Sequence, residues 1–188
     1  MFLENNNFKN TDLKIIKPQI FKDFRGYFYE SYNTKHLNEL LKNKIEFVQD
    51  NVSKSKKWVI RGLHYQKKPF SQAKLVRVIK GKIFDVAVDL RKKSKNYGKY
   101  FSVILSAENK KQIWIPEGYA HGFLALTNNT EVQYKTTQYY SPRHEITIRW
   151  NDRKININWP LKLNKIIISK KDQKNSITFA KFKQLKNC

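Results

Sequence analysis

The chain has 188 residues, 40% hydrophobic and 14% aromatic, enough to give one domain a sizeable core and far from a disordered composition. No apolar run approaches the roughly 18 residues of a membrane span, MFLENNNFKN lacks an apolar signal core, and the single cysteine, Cys188, cannot close an internal disulfide; a cytoplasmic protein stabilised by burial, with no membrane partner, is expected. The formal net charge of +23 points first to a polyanion, but the lysines are scattered through loops and strand edges, so the charge reads as a solvated surface attractive to small anions and no nucleic-acid partner is expected.

In chain order, the first clear element is helical. TKHLNELLKN, residues 34–43, sets Leu37, Leu40 and Leu41 at i, i+3 and i+4, with Asn33 or Thr34 as N-cap. KLVRVIKGKIFDVAVDLR, residues 74–91, is two β-branched runs joined at Lys80-Gly81-Lys82 and reads as a hairpin. YFSVILS, QIWIP, HGFLALT, EVQYKTT and EITIRW follow, separated by turn signals such as Pro116-Glu117-Gly118 and Asn128-Asn129. Short strands at this spacing predict a sandwich or barrel. No repeat or linker divides residues 1–188, and the lysine-rich tail after about Asp172 reads as loosely held.

Alternation sorts the strand residues by face. Lys74, Val76 and Val78 share one side of their run, and Leu75, Arg77 and Ile79 the other. Phe84, Val86 and Val88 form an apolar face, while Asp85 and Asp89 lie with Ile83 and Ala87 on a side that reads as a polar interior or a solvent face. His121 shares a face with Phe123, and Tyr134 with Val132 and Thr136. A small barrel could turn His64, Lys74, His121 and Tyr134 inward together, although alternation alone does not make their strands converge.

PEGYAH sets Pro116, Gly118 and His121 in a P-x-G-x-x-H arrangement, and Gly81 follows Lys74 by seven positions. This spacing resembles the cupin superfamily, an all-β jelly-roll barrel whose metal-binding members carry two histidines one residue apart, a glutamate and a third histidine. The corresponding positions here are His64, Gln66, Lys74 and His121. Only two of four ligands remain and the glutamate position holds a cation, so no metal is expected.

Longer strings are more specific: FRGYFYESYN, FVQDN, RGLHYQ, KLVRV, FDVAVDLR, LSAENKKQIWIPEGYAHGF, YKTTQYYSP and WND with WP. In order and spacing, from about residue 15 to 172, they resemble the dTDP-4-dehydrorhamnose 3,5-epimerases. The resemblance implies a cupin-type barrel with one or more short helices. It also implies a cofactor-free reaction on dTDP-4-dehydro-6-deoxyglucose, in which a proton leaves the carbon on each side of the C4 ketone and returns to the opposite face. Such chemistry needs a base, an acid and a group that holds charge on the ketone oxygen.

By this resemblance His64 is the base; an imidazole titrates near about 6.5 in water. Asp172, in SKKD, would fix its tautomer, Tyr134 would be the acid, and Lys74 would stand near the enolate oxygen. Arg25, Glu30, Gln49, Asn51, Arg61, His121, Glu145 and Lys171 fall on positions that resemble substrate contacts, and Phe28 lies among them. Lys170 competes with Lys171 for its position because LKLNKIIISKKD is slightly long. Arg25 and Arg61 suit a diphosphate, since the guanidinium fork donates paired hydrogen bonds. Tyr139 or Phe28 would stack on the thymine, and His121 would either orient the His64 side or simply pack. The resemblance further implies a homodimer whose N-terminal segment, including FRGYFYE, crosses to complete the neighbour's site.

Overall fold

A computed structural model of the chain describes residues 1–3, 8, 11–160 and 165–185. Cys188 and the LKLN part of LKLNKIIISKKD lie outside the described residues. The chain opens with β1 (Phe2–Leu3) and β2 (Lys14–Lys17), then β3 (Phe21–Asp23) and β4 (Gly26–Phe28), then α1 (Thr34–Leu41). The central strands are β5 (Gln49–Ser55), β6 (Val59–Gln66), β7 (Lys74–Lys80), β8 (Lys82–Asp89), β9 (Tyr100–Ser106) and β10 (Gln112–Ile115). After them come β11 (Tyr119–Ala125), β12 (Thr130–Thr136), β13 (Glu145–Thr147), β14 (Ile167–Ile168), α2 (Lys170–Asn175) and α3 (Phe179–Lys183). No helix among the described residues is long and apolar enough to cross a membrane.

The strands form two facing sheets, β1-β2-β10-β7-β12-β5 and β13-β6-β11-β8-β9, with β14 added beside β6 and β3–β4 standing apart as a separate two-stranded ribbon. This is the cupin-type jelly roll that the sequence led us to expect. Ile15, Val76, Val78, Ile113 and Val132 of the first sheet meet Ile83, Ala87, Leu105 and Phe123 of the second in the space between them. Alternation then sends Leu75 to the opposite side, where Leu37 of α1 covers it together with Ile16 and Trp114. Asn33 is the cap of α1: its side chain accepts the His36 backbone N–H at 3.1 Å.

Lys80-Gly81-Lys82 is not a hairpin turn. β7 pairs with β10 and β12, whereas β8 pairs with β11 and β9, so at Gly81 the chain crosses from one sheet to the other. Gly81 has φ +81°, and a Cβ there would lie 2.4 Å from the Thr127 hydroxyl, which makes glycine necessary at the corner. A crossing corner and a hairpin turn carry the same local signal; the partners that decide between them lie far along the chain. Both sides of β8 are consequently buried, Val86 and Val88 against the C-terminal segment and Ile83, Ala87 and the fully buried Asp85 toward the barrel interior.

The tail likewise departs from the expected loose segment. Ile177 bridges to Ile148, the Asp152 carboxylate accepts the Phe179 N–H at 2.8 Å, and Phe179 and the fully buried Phe182 pack into the cluster on the outer side of the second sheet. The two rings, spaced i and i+3, share one face of α3; the surrounding lysines hid this short amphipathic pattern.

Candidate active site

A cavity of about 300 Å³ opens between the sheets. β6 of the second sheet supplies His64 to its wall, and the first sheet answers with Lys74 from β7, Tyr134 and Thr136 from β12, and Gln49 and Asn51 from β5. The adjacent strands are in register: Thr136 lies opposite Lys74 and Gln49, and Tyr134 opposite Asn51. Base and acid candidates therefore come from different sheets onto one cavity. Gly62 permits the close approach of β6 to β11 beside it, since a Cβ there would meet the His121 carbonyl oxygen at 2.5 Å and its φ is +104°.

His64 Nε2 lies 2.8 Å from Asp172 Oδ1, the carboxylate 8% exposed and the imidazole 31%. α2 puts the carboxylate there: Ser169 caps it by accepting the Asp172 N–H at 3.0 Å, and the first turn points Asp172 inward. Burial works to raise the Asp172 carboxyl, but hydrogen bonds from His64, Ser169 and the Gly62 backbone, with the charge of His64, hold it below the ordinary carboxylate range. A carboxylate only accepts, so the shared proton belongs to Nε2 and the Nδ1 lone pair is left for chemistry.

Lys74 is 9% exposed. Burial brings its ammonium down to about 8, against the opposing influence of the Glu145 and Asp85 carboxylates. Asp85 is wholly buried; its Oδ2 meets His121 Nε2 at 2.8 Å while Oδ1 has no hydrogen-bond partner among the described residues. His121 sits opposite His64 in the β6–β11 ladder but below the cavity wall, held by Asp85. Burial raises the Tyr134 phenol above its usual value; Arg61 opposes this, while Glu145 and Tyr140 reinforce it. The Tyr134 phenol thus keeps its proton until a strong base forms beside it.

At the mouth, Lys171 Nζ is bonded to Glu145 and lies 2.9 Å from the Tyr140 hydroxyl, which donates to Glu145 at 3.1 Å. Burial works to lower the Lys171 ammonium, but these partners hold it above the usual lysine range. Lys171, not Lys170, lines the cavity. Gln49 links this cluster to the floor, donating to Asn51 Oδ1 at 2.8 Å and accepting the Tyr140 N–H at 2.9 Å.

Several anticipated contacts lie elsewhere. Arg61 is exposed and holds Ser55 Oγ and the Lys54 carbonyl. Arg25 and Phe28 stand on the projecting β3–β4 ribbon, Arg25 paired with Asp23 and Phe28 70% exposed, and Glu30 just after it binds Asn33 and His36. Neither Tyr139 nor Phe28 reaches the cavity wall; Tyr140, one residue on, does, together with Tyr65 and Tyr134. Sequence reasoning also passed over Gln72 and Asp85. Asp85 had a usable signal, a charge on the inward face of a strand flanked by Ile83 and Ala87, whereas Gln72 lies in a loop without periodicity. Among the described residues no group of three or more His, Cys, Asp or Glu side chains is disposed to hold a metal ion.

The arrangement defines a jelly-roll barrel equipped for proton transfer. A profile described as dTDP-4-dehydrorhamnose 3,5-epimerase matches residues 8–179. The chain is 55% identical over 150 residues to the dTDP-4-dehydrorhamnose 3,5-epimerase of Shigella flexneri, covering 80% of this chain and 83% of that one. The crystal structure of the Elizabethkingia anophelis dTDP-4-dehydrorhamnose 3,5-epimerase is similar over the whole of both chains, with TM-score 0.90 at 42% identity. The Legionella pneumophila dTDP-6-deoxy-D-glucose-3,5-epimerase, solved in complex with dTDP-4-keto-L-rhamnose, gives TM-score 0.87 at 46% identity over 93% of this chain and 91% of that one. The class is therefore that of cupin-fold isomerases acting on sugars. The chain belongs to the dTDP-4-dehydrorhamnose 3,5-epimerase family.

Proposed function

We propose that the chain inverts C3 and C5 of dTDP-4-dehydro-6-deoxyglucose through enolate intermediates, giving dTDP-4-dehydro-L-rhamnose for dTDP-L-rhamnose synthesis, with no cofactor. The observation that carries the reading is the placement of His64 and Tyr134 on opposing sheets around one cavity, with Lys74 in the same wall. His64 Nδ1 takes the proton from the carbon beside the ketone and the electron pair moves onto the carbonyl oxygen, which the Lys74 ammonium steadies. Tyr134 returns a proton to the opposite face; the resulting phenolate regains one from solvent, and the imidazolium loses its own. The same exchange then occurs at the second carbon.

Gln49, Asn51, Glu145 and Lys171 hold the substrate, with Arg61 and His121 supporting the wall. Arg25, Phe28 and Glu30 act in a homodimer, where the exposed β3–β4 ribbon of each protomer crosses to its partner's cavity. The exposure of Phe21, Phe24, Tyr27 and Phe28 on one small ribbon supports this, because such a patch on a lone chain is costly in water. A cytoplasmic location fits a chain with one cysteine and no internal disulfide.

Incubation with dTDP-4-dehydro-6-deoxyglucose in deuterated water, read by NMR, tests the reaction. Label at C3 and C5 is expected. Label at C3 alone would mean a single-carbon epimerase, and no label would remove the enzymatic reading.

A further inference from the structure

Gln66 occupies the position that, in the metal-binding cupin pattern, belongs to the second histidine. It ends β6, two residues beyond His64 and in the same cavity wall, and is 6% exposed. Its amide is fully engaged. Nε2 donates to the Phe70 carbonyl at 2.6 Å and to the Tyr139 carbonyl at 3.1 Å, while Oε1 accepts the Ser141 N–H at 2.8 Å. Two of these partners, residues 139 and 141, bracket Tyr140. The third lies in the loop that carries Gln72, and both Tyr140 and Gln72 line the cavity.

We propose that Gln66 is a positioning residue: it clamps the 139–141 segment and the 67–73 loop together, and so fixes Tyr140 at the cavity mouth for substrate capture. Two donors and one acceptor in that geometry are what a carboxamide supplies. A glutamate would set a carboxylate against two carbonyls, and a histidine has too few ring nitrogens for three partners. Among the described residues Tyr140 is otherwise held through side chains, by Gln49 at its N–H and by Lys171 and Glu145 at its hydroxyl. Losing these bonds would free the Tyr139 carbonyl and the Ser141 N–H on either side of the ring, with Gln72 still holding the Gln138 carbonyl at 2.8 Å and the His144 N–H the Ser141 carbonyl at 3.0 Å, so the ring would loosen at the mouth while His64, Asp172, Lys74 and Tyr134 stay in place. The substrate part of this inference rests on the epimerase reading.

The test uses Gln66→Glu, with Gln66→Met as a second variant of similar length, in the full chain. Each is checked by thermal unfolding, by calorimetric binding of dTDP and by steady-state kinetics on dTDP-4-dehydro-6-deoxyglucose. The expected result is a rise of about tenfold in both the dTDP dissociation constant and KM, the loss of about one well-made hydrogen-bond set, with kcat within about threefold of the parent. In a Tyr140→Ala background the same change should raise KM by less than about threefold, because the group being positioned is gone. Equal losses in both backgrounds, or an unchanged KM in a folded variant, would overturn the assignment. The wild-type protein offers a check independent of folding defects: the Ser141 amide should be protected from hydrogen exchange, and exchange at the rate of an open loop would equally overturn it. If the wild type binds no dTDP, the epimerase reading fails while Ser141 protection still reports on the clamp.

Discussion

Asp172 Oδ1 lies 2.8 Å from His64 Nε2 although the two residues are 108 positions apart. One comes from the inner strand of a sheet and the other from the first turn of a helix that reaches the barrel only at the end of the chain. The contact leaves the imidazole one defined free nitrogen, the one to which the proposed reaction assigns the base. His64→Asn should lower kcat by about 10²–10⁴, the usual contribution of a general base. Asp172→Asn should produce a substantial fraction of that loss, with loss of deuterium wash-in at both carbons as the common readout. Retention of wild-type exchange by His64→Asn would move the base elsewhere.

Tyr134→Phe separates abstraction from return. The base remains, so solvent deuterium should still enter at the carbon facing His64, while net inversion falls by about 10²-fold or more. NMR of recovered substrate, labelled but not inverted, is the expected signature.

The role proposed for Lys74 sets function against stability. Its ammonium is brought from 10.5 in water to about 8 by burial, so the unfolded chain binds this proton more tightly than the folded one. Stability is then reduced at neutral pH by about 3 kcal/mol, at 1.36 kcal/mol per unit, and is recovered as pH rises from about 8 through the unfolded value. Lys74→Met should therefore unfold at higher denaturant concentration than the wild type at pH 7, the difference closing above pH 10, while kcat drops by about 10²–10³. In the wild type, kcat should fall as pH rises through about 8, where the amine loses the charge proposed to steady the enolate.

The proposed exchange of the β3–β4 ribbon between protomers predicts complementation. Arg25→Ala and His64→Asn homodimers should each be weak, yet mixed heterodimers should regain activity at one site, because an intact ribbon from one protomer meets an intact base on the other. Kinetics after co-refolding the two variants reads this; no recovery in a mixed dimer would place Arg25 outside the partner's site.

Phe182, fully buried in the cluster outside the second sheet, should cost about 3–5 kcal/mol as Phe182→Ala. Chemical denaturation measures it. A loss below about 1 kcal/mol would mean that the C-terminal segment is an adornment rather than part of the core.

Much of this was written locally. The spacing of Leu37, Leu40 and Leu41 gave α1, and period-two runs gave β7 through β13, because those patterns depend on neighbours within a few residues. Which strands pair does not. Gly81 looked like the turn of a hairpin since a corner between sheets also asks for positive φ, and the preference for β10, β12, β9 and β11 as partners is stored in distant segments. The site followed the same division. His64, Tyr134, Lys74 and Asp172 were named from strings that resemble a family, and the convergence of the first three on one cavity, with Asp172 behind His64, required the closed barrel. Tyr140 was missed for Tyr139 because adjacent tyrosines in a loop obey no alternation, and the bond from its N–H to Gln49, 91 positions away, selects between them.

The crossing at Gly81 also governs how the molecule comes into being. Strands joined by short connections, β5 with β6, β7 with β8 and β11 with β12, enter opposite sheets, so few of the ladders can zip up beside their own turn. Contacts of high sequence separation must form together, which slows folding and makes it concerted. The proposed proton-transfer machinery has no partial version: half a barrel holds His64 without Tyr134. Recovery of turnover during refolding is thus a stringent clock for completion of the whole structure.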